Sequence, residues 1–259
     1  MKIAVLVKQV PDTAAQIQIK PDGSGIVEEG IKYILSPYDE YAVEEAVRLK
    51  EKFEGSEVTA VTVGPERAKE ALRTCLAVGV DHAVLIYDQE NSFDPYSTAE
   101  LLAKKLEYLN LDLVLCGKQA ADDDMAYMGG AAAQKLNFPF ISLVVQIEIL
   151  KETGKAKIRR QIEEGEEILE VTLPCVLSAQ KGLNEPRYPS LPGMMKAKKK
   201  EIEEIKPADL IPDFASLAKT RQDRLQPVPP RSAGRILKGS PEEMVKELVK
   251  LLRDEEKVV

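Results

Sequence analysis

The 259-residue sequence contains one histidine, no tryptophan, three cysteines and only 5 % aromatic residues. Each scarcity excludes something. A single histidine, His82, ahead of the apolar run AVLIY, leaves a His-based catalytic triad or a His-rich metal site with little support. Cys75, Cys116 and Cys175 are scattered through apolar segments. None stands in a CxxC or metal-ligand spacing, so they read as reduced core thiols of a cytoplasmic protein. No run of about 18 apolar residues is present, so no membrane span is expected. The opening MKIAVLVKQVPD lacks the long apolar region and cleavage site of a signal peptide, and reads as a buried first strand. Neither GxGxxG nor GxxxxGK[ST] occurs, so the dinucleotide and P-loop fingerprints are missing. The net charge of −7 argues against general nucleic-acid binding.

What is present is an alternation. Four apolar runs, Ile3–Lys8, Val58–Gly64, Ala83–Tyr87 and Leu111–Gly117, have the continuous hydrophobicity of strands covered on both faces. Between them lie helical patterns at about 38–53, 66–78 and 97–109. In the first, Ala42, Ala46, Leu49 and Phe53 share a face. It is preceded by Ser36 as a cap, Pro37 in the first turn, and Asp39 and Glu40 at the positive end of the dipole. The pattern predicts an α/β fold with a doubly wound, mostly parallel sheet. QIQIKPDGSGIVEEG and KIRRQIEEGEEILEVTL read as hairpins added to that sheet, the second turning near Glu164–Gly165. Residues 1–206 form the α/β domain on this reading. Residues 207–259 form a proline-spaced arm that cannot bury a core of its own and is expected to pack on a partner subunit, the alternative being its own domain. It ends in an amphipathic helix capped by Ser240, with Pro241 first and Met244, Leu248 and Leu251 on one face.

In a doubly wound sheet, ligands bind at the carboxyl ends of strands. KQVPDT, TVGPE and GKQAADDDMAYMGGAA fall there. The third follows a strand and opens a helix, so the backbone amides near Ala126–Gly130 suit a phosphate. Asp122–Asp124 could instead only cap that helix, or bind Mg²⁺. A further segment, NEPRYPSLPGMMKAKKKEIE, places Leu191 between Pro189 and Pro192. The prolines keep Arg187–Gly193 out of a core strand, and Pro192 opposes a helix starting before it. The result is an exposed, stiff loop with an apolar tip, suited to a partner. The lysines Lys196–Lys200 read as a solvated basic edge.

These segments carry a resemblance. NEPRYPSLPGMMKAKKKEIE, GKQAADDD, SPYDEYAVEEAVRLKE and VLVKQVPD resemble, in order and over nearly the whole chain, the beta (small) subunits of electron transfer flavoproteins. The resemblance implies an electron-carrier subunit rather than an enzyme. Its partners would be an alpha subunit that holds most of the FAD, and flavoprotein dehydrogenases such as acyl-CoA dehydrogenases. It implies AMP as a structural ligand in this chain. It places cofactor contacts at Leu6, Val7, Ser36, Tyr38, Asp39, Val63, Asp122, Asp124, Ala126, Tyr127, Met128, Gly129 and Gly130, with no metal. Partner recognition falls to Tyr188, Pro189, Leu191, Pro192, Met195, Lys198 and Lys199, with Leu191 entering a pocket of the dehydrogenase. Such a leucine supplies roughly 1.5–3 kcal/mol when fully buried. A bifurcating branch, with a second FAD in place of AMP, resembles DGDTAQVGP where this chain has DDDMAYMGG. Asp123 in place of its glycine favours the AMP form, although Ala126, Tyr127 and Met128 replace that form's Asn, Gln and Thr. The alternatives are that bifurcating type, a nucleotide-dependent enzyme of the same adenine-binding architecture, and an interaction module without cofactor. An adenylating enzyme would resemble SGGxDS after strand one, where KQVPDT stands.

Overall fold

The computed structural model describes residues 1–89, 94–230 and 234–259. They form two compact units, Met1–Gln18 with Ile26–Asp223, and Ile19–Gly25 with Arg224–Val259.

The larger unit is built on one nine-stranded sheet. Its strands are β1 (Lys2–Leu6), β4 (Glu57–Gly64), β5 (His82–Tyr87), β6 (Leu113–Gly117), β7 (Phe140–Leu150), β8 (Lys155–Ile162), β9 (Gly165–Thr172), β10 (Cys175–Ala179) and β11 (Glu203–Ile205). The order is β11-β5-β4-β1-β6-β10-β7-β8-β9. Every pair from β11 to β7 is parallel, and β8 and β9 close that edge antiparallel. Helices α1 (Pro37–Lys52), α2 (Lys69–Val78), α3 (Pro95–Glu107), α4 (Met128–Leu136), α5 (Leu191–Lys199) and α6 (Pro207–Leu210) flank it. Alternate residues of β1 serve opposite faces. Ile3 and Val5 join a core with Ala42, Ala46 and Leu49 of α1. Ala4 and Leu6 join another with Leu101, Leu102 and Leu106 of α3. Two-sided burial is why central strands such as β1, β5 and β10 show no polar alternation.

The expected strands and helices appear within a few residues of their predicted bounds, and the second hairpin is β8–β9. The first is not. Residues 16–30 contain an isolated bridge and a turn, closed by Val27 N–H donating to Gln18 O at 2.8 Å. The strands of that crossover are instead the short β2 (Gln9–Pro11) and β3 (Tyr33–Leu35), paired in a separate two-stranded sheet. The turn chemistry of PDGSG is real, but its flanks, with Ile19, Ile26 and Val27 only half-buried, join neither sheet.

The unit also extends past Lys206. Leu210, Ile211 and Phe214 pack against the α3-side core. Asp94, the N-cap of α3, accepts from the amides of Lys219 (2.7 Å) and Thr220 (2.8 Å) as well as Ser97. Burial pushes its carboxyl up, but these donors outweigh that and hold it well below the usual range.

In the smaller unit, Gly23 lies in the left-handed region at φ +74° and its carbonyl accepts from Leu225 N at 2.9 Å. Helix α7 (Pro241–Asp254) begins with the expected Ser240 cap, completed as a capping box: Glu243 Oε2 accepts from Ser240 N at 2.9 Å. None of its residues is buried, and Val245, Leu248 and Val249 are exposed.

Candidate functional site

The chain reverses direction across the sheet at β1. The first crossover leads from β1 to its neighbour β4, while β6, reached later, lies on the other side. That switch point is where doubly wound folds hold ligands, and one carboxylate closes it. Asp39, in the first turn of α1, accepts from Lys8 N at 2.7 Å and from Gly117 N at 3.0 Å. It thereby ties the ends of β1 and β6 together. Burial pushes its carboxyl up to about 7, against the two amides that favour the ionised form. Glycine is needed at 117, because a Cβ there would lie 2.8 Å from the backbone of Tyr38 and Asp39. The side chain of Ser36 does not cap α1 as expected. Its hydroxyl is buried and, among the described residues, has no hydrogen-bond partner. Tyr38 carries the Lys118 ammonium 4.8 Å from its ring centre. Leu6, Val7 and Val63 line the ends of β1 and β4, the first two buried and the third partly so.

The loop from β6 to α4 lies beside this point. Lys8 Nζ donates to Asp122 and Asp123, both at 2.8 Å. Burial disfavours the ammonium, but the two carboxylates overcome it and raise the lysine. Asp123 also accepts from Met125 N at 3.0 Å, and Asp124 from Gln119 Nε2. Asp124 and Ala126 have φ of 52° and 50°, unusual for non-glycine residues. Tyr127 precedes α4 and is exposed, with no side-chain cap. The first amides of α4, including those of residues 128–130, have no acceptor within the helix. Gly129 is buried, and a Cβ there would meet Phe140 at 2.8 Å and Cys116 Sγ at 2.9 Å. Gly130 has ordinary clearance. Among the described residues, no group of three or more His, Cys, Asp or Glu is placed to hold a metal.

The second surface is the segment after β10. Asn184 donates to Tyr41 O at 2.9 Å and Glu45 at 3.0 Å, and Arg187 makes a fork on Glu44 and Glu51. Tyr188 is 95 % exposed and Leu191 74 %. The expected loop is shorter than Arg187–Gly193. Helix α5 starts at Leu191, one residue before Pro192, with Ser190 Oγ accepting from Gly193 N at 3.1 Å. A proline in the first turn has no intrahelical bond to lose, so Pro192 opens the helix rather than forbidding it. Met195, Lys198 and Lys199 lie on it, exposed.

Residues 24–210 match the model of the electron transfer flavoprotein domain. Across all of this chain and all of the relative, the sequence is 42 % identical to the electron transfer flavoprotein subunit beta of Bacillus subtilis. The human subunit beta is 43 % identical over 90 % of this chain and 91 % of its own length. The rice mitochondrial subunit beta is 38 % identical over both full lengths. The chain belongs to the electron transfer flavoprotein family. It is a beta-type subunit of that family.

Against this family background, the strand-end residues expected from the sequence gather at one place: Leu6, Val7, Ser36, Tyr38, Asp39 and Val63 at strand and helix ends, and Asp122–Gly130 in the neighbouring loop and turn. Tyr188–Lys199 form a separate surface. His82 is at the opposite end, the exposed first residue of β5. The three thiols are buried and free; burial pushes Cys175 up to about 12 and the other two higher still. Sequence reasoning missed Lys8, Gly117 and Arg187. The signal for Lys8 was a lysine just past strand one in a chain with an acidic triplet past strand four. For Arg187 it was an arginine beside an exposed tip and a glutamate-rich helix.

Proposed function

We propose that this chain is the beta half of a heterodimeric electron carrier. An alpha subunit holds most of an FAD, and flavoprotein dehydrogenases, such as acyl-CoA dehydrogenases, deliver electrons at Tyr188–Lys199. The observation that carries the reading is the likeness to beta subunits along the entire chain. Bound FAD would supply the electron carriage. The residues of this chain provide a wall, a nucleotide site and a docking surface. The exposed apolar positions of α7 favour an alpha-subunit partner, since no residue of that helix is buried. The buried free thiols favour a reducing, cytoplasmic setting.

The strand-end site fits a mononucleotide such as AMP. Ser36 Oγ is a buried polar group lacking a partner, which a ligand would satisfy. The α4 amides suit a phosphate. Lys8 pairs with both Asp122 and Asp123 and offsets one of their two charges, which lowers their repulsion of an anion. No polar group from residues 126–128 replaces the expected Asn, Gln and Thr side chains except the Tyr127 hydroxyl, so the phosphate would rest on backbone amides.

The test is to purify the chain with an alpha-type subunit, record the visible spectrum, and identify heat-released nucleotide by mass. One FAD and one AMP per heterodimer are expected. Two FAD would mean the bifurcating type. ATP turnover, or neither flavin nor nucleotide, would overturn the reading.

A further inference from the structure

The docking reading leaves a mechanical question, which rests on that reading: what holds an exposed apolar tip still? Residues 180–190 have no regular structure, yet two mounts flank the tip. On one side, Arg187 donates through Nε to Glu44 Oε2 at 2.8 Å and through Nη2 to Glu44 Oε1 at 3.0 Å. It also donates to the two oxygens of Glu51, at 2.6 and 3.0 Å, and its own backbone N–H reaches Glu44 at 3.1 Å. The Glu44 side chain is only 4 % exposed and also accepts from Arg48 at 2.7 Å. Asn184 adds its two bonds to α1, and Arg48 Nη2 reaches Glu185 O at 3.4 Å. On the other side, α5 is pressed on α2. A Cβ at Gly193 would collide with the carbonyl of Ala77. Arg73 Nη1 donates to the carbonyls of Ala197 and Lys200, and Lys200 Nζ donates to Val80 O at 2.8 Å.

The alternative for Arg187 is a plain surface ion pair, which contributes little. The geometry differs from that. A planar fork shared between two carboxylates, one of them buried, fixes orientation as well as charge. It stands one residue before Tyr188 and four before Leu191. Burial pushes Glu44 up, but Arg187 and Arg48 outweigh it and hold it below its usual value. The anchor is therefore charged at neutral pH.

We propose that Arg187 is the positioning residue of the docking surface. Its fork on Glu44 and Glu51 fixes residues 184–190 on α1, so that Tyr188 and Leu191 meet the partner flavoprotein already ordered. Ordering a flexible tip at the moment of contact subtracts from affinity. Loss of the fork should therefore weaken docking without altering what carries the electrons.

The experiment uses the complete heterodimer with a flavoprotein dehydrogenase as donor. Wild type, Arg187→Ala, Arg187→Lys and Leu191→Ala are compared. For Arg187→Ala we expect the donor concentration at half-maximal rate to rise about tenfold, with the maximal rate and flavin spectrum unchanged. Amide exchange should accelerate over residues 184–191 and not over α1. Arg187→Lys keeps a charge for Glu44 but loses the fork, and should fall between, at about threefold. If Arg187→Ala does not fold, Arg187→Lys decides alone. Wild-type docking and exchange in the arginine variants, with Leu191→Ala impaired, would overturn the proposal and spare the docking reading. Wild-type docking in Leu191→Ala as well would overturn both.

Discussion

At the strand ends, a carboxylate is buried among apolar strands; on the docking segment, a tyrosine and a leucine stand in water. Asp39 is 6 % exposed and Tyr188 95 %. Both placements oppose the ordinary sorting of side chains, and each is sustained by neighbours of the opposite kind. Asp39 is held by backbone amides of two parallel strands. Tyr188 and Leu191 are held out by a charged fork and a tightly packed helix. Where polarity is buried, the fold supplies donors. Where apolar surface is exposed, the fold supplies rigidity. The first arrangement fits retention of a small ligand and the second fits brief encounters with a large one.

The largest effect should come from titrating Asp39. Its pKa rises from the usual 3.8 to about 7 in the folded chain. The proton is thus bound more tightly when folded. The stability it contributes is complete below about pH 4 and is lost as the pH rises through 7. At ~1.36 kcal/mol per unit the change is about 4 kcal/mol. The groups facing it are Lys8, Asp122, Cys75 and Cys116. Denaturant titrations of wild type and Asp39→Asn from pH 4 to pH 8 should show the variant gaining on wild type by that amount. Parallel curves would mean that Asp39 is ionised throughout, and the contrast with the docking segment would lose its polar half.

Next in size is Gly117→Ala. The added methyl would press on the backbone of Tyr38 and Asp39, at a cost of about 3 kcal/mol in stability. Nucleotide should be lost with it, because β1, β6 and α1 all meet there. Retention of wild-type stability and nucleotide content would show that the strand ends are not held as closely as the Asp39 bridge implies. Gly129→Asp, the obvious way to repel a phosphate, is a poorer probe. Its side chain would strike Phe140 and Cys116 before reaching any ligand.

On the docking side, Leu191→Ala removes an exposed side chain, so the free protein should keep its stability. Docking should lose about 2–3 kcal/mol if the leucine enters a deep pocket. That is roughly 30- to 150-fold in affinity for the dehydrogenase, read by titration of one flavoprotein with the other. An unchanged affinity would make the segment a brace rather than an anchor.

The fold was legible because its central strands are covered on both sides, which leaves continuous or nearly continuous apolar runs such as IAVL and VTAVTV. The edge strand β11, EEI, was not legible: three residues, two of them charged, become a strand only because β5 offers a free edge. The turn at PDGSG was read correctly as a turn, but its flanks pair through one bridge and add nothing to the sheet, because wider pairing depends on what lies beside it. At the site, the resemblance named residues that the structure brings to neighbouring strand and helix ends, and local pattern explained the open end of α4. The roles of Asp39 and Arg187 were hidden because each depends on partners far along the chain. Asp39 reaches Gly117 across 78 residues and Arg187 reaches Glu44 across 143.

The smallest effect should come from the lysines beside the tip. Lys198 and Lys199 are exposed near the carboxyl end of α5, where positive charge also suits the helix dipole. No described ion pair engages them, unlike Lys105, which reaches Glu203 at 2.8 Å. Their charge is therefore available to an approaching acidic surface, but at long range and through water. Each alanine substitution should slow association with the dehydrogenase about two- to threefold at low salt and leave dissociation unchanged. At about 0.5 M salt the difference should vanish, since charges in water are then screened within a few ångströms. Stopped-flow association rates across a salt series measure this directly. A substitution that speeds dissociation and keeps its effect at high salt would place the lysine inside the docked interface. The division between a rigid apolar tip that holds and a basic edge that steers would then have to be redrawn.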